Sequence, residues 1–297
     1  MDRNNQMPDR LDAATWRQRA AAHAERAERL TAGRIARRAA GINDPIEDFL
    51  FTYYPIKPAR LRAWHPGSGV ILEDARGEEI PRWYAASGDA DLIVDAAALL
   101  DARGPLLGFI HRLLRGTRER PAQYGCFGLH EWAMVYKLDP ERVRHESTPL
   151  RLTPAETDAV VERHNIACSH FDAFRFFTPE ASGLNRLSPT RENQPLLEQR
   201  GCLHAGMDLY KWASKLGPAL PGELLLDCFE LAREIRILDM RASPYDIGAW
   251  GYSAVPIETD AGKAEYVAAQ RAFTTRSDIL RDRVLDALLR TREAASA

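Results

Sequence analysis

Three short segments of this 297-residue chain each place a cysteine close to a histidine and continue into aromatic residues and acids. The segments are 126–132, 168–172 and 202–208, and they contain the pairs Cys126 and His130, Cys168 and His170, and Cys202 and His204. Their aromatic neighbours predict burial, and burial of an ionisable side chain is unfavourable unless it is paired. Any fold of this chain must supply such partners, so we expect the three segments to meet in one site.

Composition indicates an ordinary globular background for that site. The chain is 45% apolar and 28% charged, which suits one large domain or two modest ones. No apolar run reaches the length of about 18 residues needed to span a membrane, and the N-terminus lacks the apolar stretch of a signal peptide. We therefore expect a cytoplasmic protein with no membrane partner. Three of the four cysteines lie beside histidines, which favours free thiols, buried packing or metal ligation over disulfides.

The spacing of apolar residues is mainly helical and predicts a mostly α fold, a single helical domain with one small β-hairpin. The expected domain organisation is an N-terminal basic helix in 1–40 and a single, mainly helical catalytic domain in 41–297. Thr153, Pro154 and Glu156 form a capping box with proline at the first helical position. The predicted helices cover roughly 12–40, 44–54, 88–102, 104–115, 127–138, 154–165, 170–177, 202–216, 222–241 and 260–293.

The remaining segments carry weaker signals. An apolar run at 70–72, a polar turn at 74–77 and a second run at 80–84 predict the hairpin. Residues 1–9 and the final alanines are expected to be disordered. The loop 243–252 is rich in aromatic residues and glycine, which suits an ordered lid or a wall of the site. An acidic stripe on the helix 222–241 is interpreted as a solvated face, and it consists of Asp227, Glu230 and Glu234.

Arginines cluster in two stretches of the chain. Residues 2–38 contain nine arginines and five acids, and residues 103–120 contain five arginines and one acid. Such clusters suit bidentate contacts to phosphates, but they also occur on the solvated faces of helices. The net charge of the whole chain is only −2, so overall electrostatics do not indicate a nucleic-acid partner.

Local spacing identifies candidate metal ligands. His204 and Asp208 are four residues apart and share one face of a helix, so the carboxylate can orient the imidazole or ligate with it. Glu131 projects about 100° away from His130 on a helix, so both cannot face one ion. Four other histidines are assigned to the core or the surface: His65, His111, His145 and His164.

Well-known nucleotide-binding and catalytic motifs are absent from the sequence. There is no Gly-x-Gly-x-x-Gly, Walker loop, His-Glu-x-x-His, Gly-x-Ser-x-Gly or paired Cys-x-x-Cys. Dinucleotide-fold enzymes and nucleoside-triphosphate enzymes are therefore not expected. A Gly-x-Gly hairpin between two helices, which one common class of DNA glycosylase uses, is also missing.

Longer strings resemble a known family. The segments 45–54 (PIEDFLFTYY), 126–136 (CFGLHEWAMVY), 169–179 (SHFDAFRFFTP) and 207–213 (MDLYKWA) are similar to those of a bacterial family, common in actinobacteria, that is labelled 3-methyladenine DNA glycosylase. The likeness covers nearly the whole chain after residue 40. It implies a DNA-base-repair enzyme that hydrolyses the N-glycosidic bond of alkylated purines in damaged DNA, without a cofactor.

The chemistry of that reaction has candidates throughout the chain. A carboxylate stabilises the cationic sugar or activates water, aromatic rings stack on the extruded base, and arginines hold phosphates. The candidate acids are Asp172, Asp208 and Glu131. The substrate-binding candidates are Trp132, Tyr136, Arg175, Tyr210, Lys211 and Trp212, and the phosphate contacts are Arg112, Arg115 and Arg118.

Two other functions remain open. The three histidines, His130, His170 and His204, together with nearby carboxylates match the ligand inventory of a non-haem iron, di-iron or zinc centre between helices. The alternative is therefore a metal-dependent enzyme that binds Fe or Zn and acts on a small molecule or nucleobase. In a non-catalytic DNA-binding protein or scaffold, the basic clusters would suffice and the Cys/His segments would be packing. The sequence does not specify an oligomeric state.

Overall fold

The computed structural model describes residues 8–77, 80–138 and 148–296, and it confirms a mostly α domain. The strands are β1 (Asp9–Leu11), β2 (Val70–Leu72), β3 (Tyr84–Ala86) and β4 (Leu92–Val94). The helices are α1 (Ala13–Ala39), α2 (Phe49–Tyr53), α3 (Pro58–Arg62), α4 (Ala96–Glu119), α5 (Leu129–Ala133), α6 (Pro154–Arg163), α7 (Phe171–Phe174), α8 (Pro179–Ser182), α9 (Gln194–Leu197), α10 (Leu203–Leu216), α11 (Gly222–Arg241) and α12 (Asp260–Ala294). Short 3₁₀ turns cover Gly217–Ala219 and Gly248–Trp250. No helix in these three ranges is both long and apolar enough to cross a bilayer.

Four long helices form the core. Helix α10 packs against α11 and α12, α11 also packs against α12, and α12 packs against α4. The close approach depends on Gly206 of α10, where a Cβ atom would lie 2.8 Å from Oγ of Ser277 and 3.0 Å from Cδ1 of Ile235. A side chain at position 206 would therefore require Ser277 and Ile235 to change conformation or α10 to move away from its two neighbours.

The small sheet differs from the expected hairpin. Its strand order is β1-β2-β4-β3, with β1 parallel to β2 and the other pairs antiparallel. The prediction that 70–72 pairs with 80–84 was wrong, because β4 lies between β2 and β3. The hairpin is formed by β3 and β4. The segment 92–94 had been placed in a helix, but its β-branched residues Ile93 and Val94 pack in the sheet.

Several helix predictions were accurate and others were not. The capping box at Thr153 is present, and α10, α11 and α12 match their expected ranges closely. The expected break between 102 and 104 is absent, since α4 continues through Pro105 and buries Leu99, Leu107 and Ile110. Helices were predicted over 44–54, 127–138 and 170–177, but α2, α5 and α7 are only four or five residues long.

The N-terminal helix is tied to the rest of the domain by ion pairs. Arg26 of α1 contacts both Asp227 and Glu230 of α11, at 2.8 Å each. The acidic stripe, interpreted as a solvated face, therefore pairs partly with α1, and its third member, Glu234, pairs with Arg276. Of the segment expected to be disordered, residues 1–7 lie outside the described residues, whereas residue 9 begins β1; at the other end, α12 continues to residue 294.

Candidate metal centre

Six donor side chains come from five separate segments. They are His130 in α5, His170 directly before α7, Glu198 directly after α9, His204 and Asp208 in α10, and Asp239 in α11. Helix α5 begins after a tight turn in which Phe127 and Gly128 both have positive φ, of 45° and 69°. A left-handed backbone favours glycine at position 128, and this turn directs α5 into the core.

The three histidines lie side by side. The ring of His204 is 4.3 Å from the ring of His130, edge to face, and 5.2 Å from the ring of His170, nearly stacked. His130 and His170 are buried, and His204 is partly buried. The Cys/His segments thus do meet, with His204 in the middle.

The first donor group consists of His130, His204 and Asp239, which offer ligand atoms within 4.8 Å of one another. Nε2 of His130 is 3.0 Å from Oδ1 of Asp239. Both atoms are buried, and within the described ranges neither makes a hydrogen bond. At this distance a protonated His130 and Asp239 attract each other as a buried ion pair, and a cation bound between the two atoms would replace that proton.

The second donor group consists of His170, Glu198 and Asp208, again with ligand atoms within 4.8 Å of one another. Nε2 of His170 is 3.3 Å from Oε1 of Glu198 and 3.3 Å from Oδ2 of Asp208. Neither ring nitrogen of His170 makes a hydrogen bond with another described residue. The carboxylates of this group do have other partners, which distinguishes it from the first group.

Charged and polar neighbours hold the carboxylates in place. Arg236 donates from Nη1 to Oδ2 of Asp239 at 3.1 Å, which leaves Oδ1 facing His130. Tyr54 donates its hydroxyl to Oδ1 of Asp208, and Lys211 donates to Oδ2 of the same carboxylate. Gln194 donates to Oε1 of Glu198. Such surrounding contacts fix ligand orientation in metal sites.

Electrostatics set different protonation preferences within the first group. Burial raises the pKa of Asp239, but the neighbouring His130 outweighs burial and brings the pKa well below its usual value. Burial lowers the pKa of His130, but Asp239 outweighs burial and the net pKa is raised. For His204, burial and the charge on His130 act together and hold its pKa well below the usual value. His204 is therefore neutral at pH 7, the form that binds a metal.

In the second group, burial raises the pKa of Asp208, but Lys211 and His170 outweigh it and the pKa lies well below its ordinary range. Burial raises the pKa of Glu198, and Asp208 raises it further, while His170 lowers it only in part. Burial lowers the pKa of His170, and the two carboxylates outweigh burial so that the net pKa is raised. A cation that binds to His170 and Glu198 would therefore displace protons from them, and its affinity would depend on pH.

A small cavity of about 20 Å³ lies against the histidines. Its lining includes Cys126, Cys168, Cys202, His130 and His204. A volume of roughly 10–15 Å³ is sufficient for one water molecule. All four cysteines are free. Burial raises the pKa of Cys168 to about 12 and also raises the pKa of Cys126 and Cys202, so the three thiols that line the cavity form a protonated, weakly polar wall.

Of the three acids proposed from sequence, one lies in a donor group. Asp208 belongs to the second group. Glu131 pairs with Arg236, at 3.0 Å, and belongs to neither donor group. Asp172 pairs with Arg175 at 3.1 Å and with Lys211 at 3.0 Å, so it contacts Asp208 only through the lysine.

The aromatic candidates are core residues outside the lining of the small cavity. Trp132 is fully buried and donates its indole N–H to the carbonyl of Ala242. Tyr136 donates to Glu162, at 2.9 Å. Tyr210 packs edge to face on Tyr54 and Phe229, and Trp212 packs on Phe109 and lies beside Lys211.

The candidate phosphate contacts lie on α4. Arg115 pairs with Glu119 at 2.8 Å, and Arg118 pairs with Asp282 of α12 at 3.0 Å, while Arg112 is exposed. Of the four histidines assigned to the core or the surface, His145 lies outside the described residues. The loop 243–252 does not line the small cavity, but Trp250 and Tyr252 near its end line a second cavity, between α1 and α11.

Two donors were missed in the sequence. Asp239 follows Cys228, Ala232 and Ile235 on a buried face of α11, and an acid on an apolar face was an available signal. Glu198 follows a helix of four residues that is too short to show a periodicity.

Comparison with protein-family models, curated proteins and solved structures finds no match for this chain.

Proposed function

We propose that the protein is a metal-dependent enzyme whose catalytic centre is formed by the first and second donor groups. The observation that carries this proposal is the approach of His130 Nε2 to Asp239 Oδ1, at 3.0 Å, with both atoms buried and without hydrogen bonds among the described residues. An imidazole nitrogen and a carboxylate oxygen held this close inside the protein are placed to share one cation, which would take the place of the proton on His130.

The donor inventory indicates the class of metal. Imidazole and carboxylate ligands suit iron, manganese or zinc, whereas soft thiolate sites favour copper(I) or zinc. The first group supplies two histidines and one carboxylate, the inventory of non-haem iron(II) sites, so iron is the favoured ion. An ion held there supplies Lewis acidity, and iron also supplies redox chemistry at an open coordination position.

The protein's own residues have separate tasks in this proposal. Arg236 holds Asp239 through Oδ2, so that Oδ1 faces His130. Lys211 instead occupies Oδ2 of Asp208, the oxygen that faces His170, and so competes with a cation in the second group. The three thiols and Leu203 restrict the adjoining cavity to a molecule of about the size of water. The molecule that enters is thus a small reactant or the reacting end of a larger substrate.

Elemental analysis of protein purified without added metal tests the proposal. We expect up to about two equivalents of iron, manganese or zinc in the wild type, since each donor group has three ligands. His204→Ala should lose the share of this metal that the first group holds. His111→Ala, which changes a histidine of α4 outside both groups, should retain it. Absence of metal from the wild type, together with no rise in Tm on addition of Fe²⁺ or Zn²⁺, would contradict the proposal.

The expectation of a DNA glycosylase stays a prediction, and the same variants test it. Release of 3-methyladenine from methylated DNA should then be lost in Asp172→Asn and Asp208→Asn. Activity of this kind that survives in His204→Ala and in metal-free protein would favour base excision over the metal-dependent enzyme.

A further inference from the structure

A second, larger cavity lies away from the donor groups and shares no lining residue with the small cavity. It has a volume of about 330 Å³ and lies between α1, the segment 44–51, α11 and the end of the loop 243–252. Small-molecule sites have volumes of roughly 300–1,000 Å³, so this cavity is in the range that holds a metabolite. We call it the arginine pocket, because Arg29, Arg34, Arg37 and Arg233 line it.

The carboxylates around the arginine pocket already have partners. Asp48, with a side chain only 1% exposed, accepts from both Arg34 and Arg37 and from the amide of Asp44. Glu47 accepts from Arg233 and from the hydroxyl of Tyr252, at 2.6 Å and 2.7 Å. Since these oxygens are occupied, the acids do not offer a second cation site here.

Another acid in the lining is also engaged. Oδ1 of Asp44 accepts from the amides of Ile46 and Glu47, at 2.9 Å and 3.0 Å. This arrangement caps the turn that leads into α2 and directs the carboxylate toward backbone donors.

The guanidinium groups, in contrast, have N–H donors that make no hydrogen bond with a described residue. Arg34 reaches Asp48 through Nη1 alone, although a guanidinium carries five N–H donors. Arg29 makes no hydrogen bond or ion pair with any residue in the described ranges. The four arginines therefore outnumber the three carboxylates of Asp44, Glu47 and Asp48, and some guanidinium N–H groups have no carboxylate partner. An anion with several oxygens would satisfy them, and Arg binds phosphate in a bidentate manner.

One wall of the arginine pocket is aromatic. Trp250 and Tyr252 flank Gly251, whose φ of 83° requires glycine, and this turn places both rings at the pocket. Phe51 and Phe229 add two further rings, with centroids 5.5 Å apart. A planar ring of a ligand can stack on such a wall while its anionic group lies among the arginines.

We propose that the arginine pocket binds a small molecule in which a phosphate is attached to a planar ring system, of which a nucleoside monophosphate is the simplest example. Arg29 and Arg34 contact the phosphate, and Trp250 contacts the ring. Several guanidinium groups at one cavity suit a dianion better than a single carboxylate. The pocket is independent of the metal proposal, because it uses neither donor group.

Calorimetric titration of the full-length protein with AMP, adenosine, inorganic phosphate and benzoate tests this proposal. AMP should bind at least about tenfold more tightly than adenosine, phosphate or benzoate, because only AMP uses both halves of the pocket. Equal affinity for AMP and adenosine, or no binding of AMP, would overturn it. Tighter binding of benzoate than of AMP would also overturn it, since a carboxylate would then be the preferred anion.

Matched variants locate the binding. Arg29→Gln should weaken AMP about tenfold, because it removes one phosphate contact. Arg38→Gln, an exposed arginine of the same helix outside the lining, should leave the affinity unchanged. An equal loss in both variants would indicate only nonspecific charge and reject the site.

Two further variants separate the ring from the phosphate. Trp250→Leu should weaken AMP but not inorganic phosphate. Gly33→Leu should obstruct the pocket, since even a Cβ atom at position 33 would lie 3.1 Å from Nη1 of Arg37. Position 33 is an exposed position on α1, and leucine is a better helix former than glycine, so the fold should survive. Undiminished AMP binding in Gly33→Leu, with an unchanged Tm, would place the ligand elsewhere. Repetition with chelator-treated protein separates this result from any failure of the metal proposal.

Discussion

The two donor groups differ in how their carboxylates are satisfied. In the first group, Oδ1 of Asp239 makes no hydrogen bond with any described residue, and only its other oxygen contacts Arg236. In the second group, Lys211 occupies Oδ2 of Asp208 and Gln194 occupies Oε1 of Glu198. The first group thus leaves a buried carboxylate oxygen open to a cation, whereas protein side chains occupy one carboxylate oxygen of each acid in the second group. We therefore expect the first group to bind metal more tightly.

Removal of the central histidine should have the largest effect. His204→Leu removes a ligand of the first group and should lower its metal affinity at least about 100-fold. The metal-free variant should be as stable as metal-free wild type or more stable, because a partly buried imidazole beside two others is replaced by an apolar side chain. Metal titration and thermal unfolding of chelator-treated protein measure both effects. A large loss of metal-free stability would show that His204 serves packing and not ligation.

Conservative carboxylate changes compare the groups directly. Asp239→Asn should remove the tighter class of bound metal, and Glu198→Gln should remove the weaker class, each with a loss of about tenfold to 100-fold in affinity. Competition with a chelator of known affinity resolves the two classes. If Glu198→Gln removed the tighter class, the order of the two groups would be reversed.

Lys211 should restrain the second group. In Lys211→Met, Oδ2 of Asp208 loses its lysine partner and the local positive charge disappears, so the weaker class should bind about tenfold more tightly. Lys215→Met is the matched control, because it changes a lysine one turn further along α10 and outside both groups. An unchanged affinity in Lys211→Met would mean that the ion does not use this oxygen.

The smallest effect is a pH dependence in metal-free protein. The pKa of His204 is depressed in the folded state, so its contribution to stability is present above its unfolded pKa of about 6.5 and is lost as the pH falls below it. Between pH 6.5 and 5, the free energy of unfolding of wild type should fall relative to His204→Leu by about 1 kcal/mol per pH unit. His170 has a raised pKa and contributes with the opposite sign. Denaturant unfolding at both pH values gives the difference, and parallel stabilities would contradict a neutral His204.

Sequence patterns predicted part of this arrangement for clear physical reasons. The i, i+4 spacing of His204 and Asp208 does place both on one face of α10, but they serve different groups. That division depends on where α5, α9 and α11 cross α10, and local spacing carries no information about such crossings. Asp239 was detectable as an acid on an apolar face, whereas Glu198 had no periodic context.

The fold shows the same limit. Long helices such as α11 and α12 were predicted because their periodicity extends over many turns. The run at 92–94 was assigned to a helix wrongly, since three apolar residues fit either a strand or a helix. Its pairing with both β2 and β3 is a non-local property.

Gly206 lies midway between His204 and Asp208 and contacts no ligand atom. A methyl group at this position would come within 2.8 Å of Oγ of Ser277 and 3.0 Å of Cδ1 of Ile235, so those side chains or α10 would have to move. A residue without a donor side chain thus lies on the helix segment that carries one donor of each group. Under the proposed function, we therefore expect a substitution at position 206 to change the affinity for metal although it alters no donor residue.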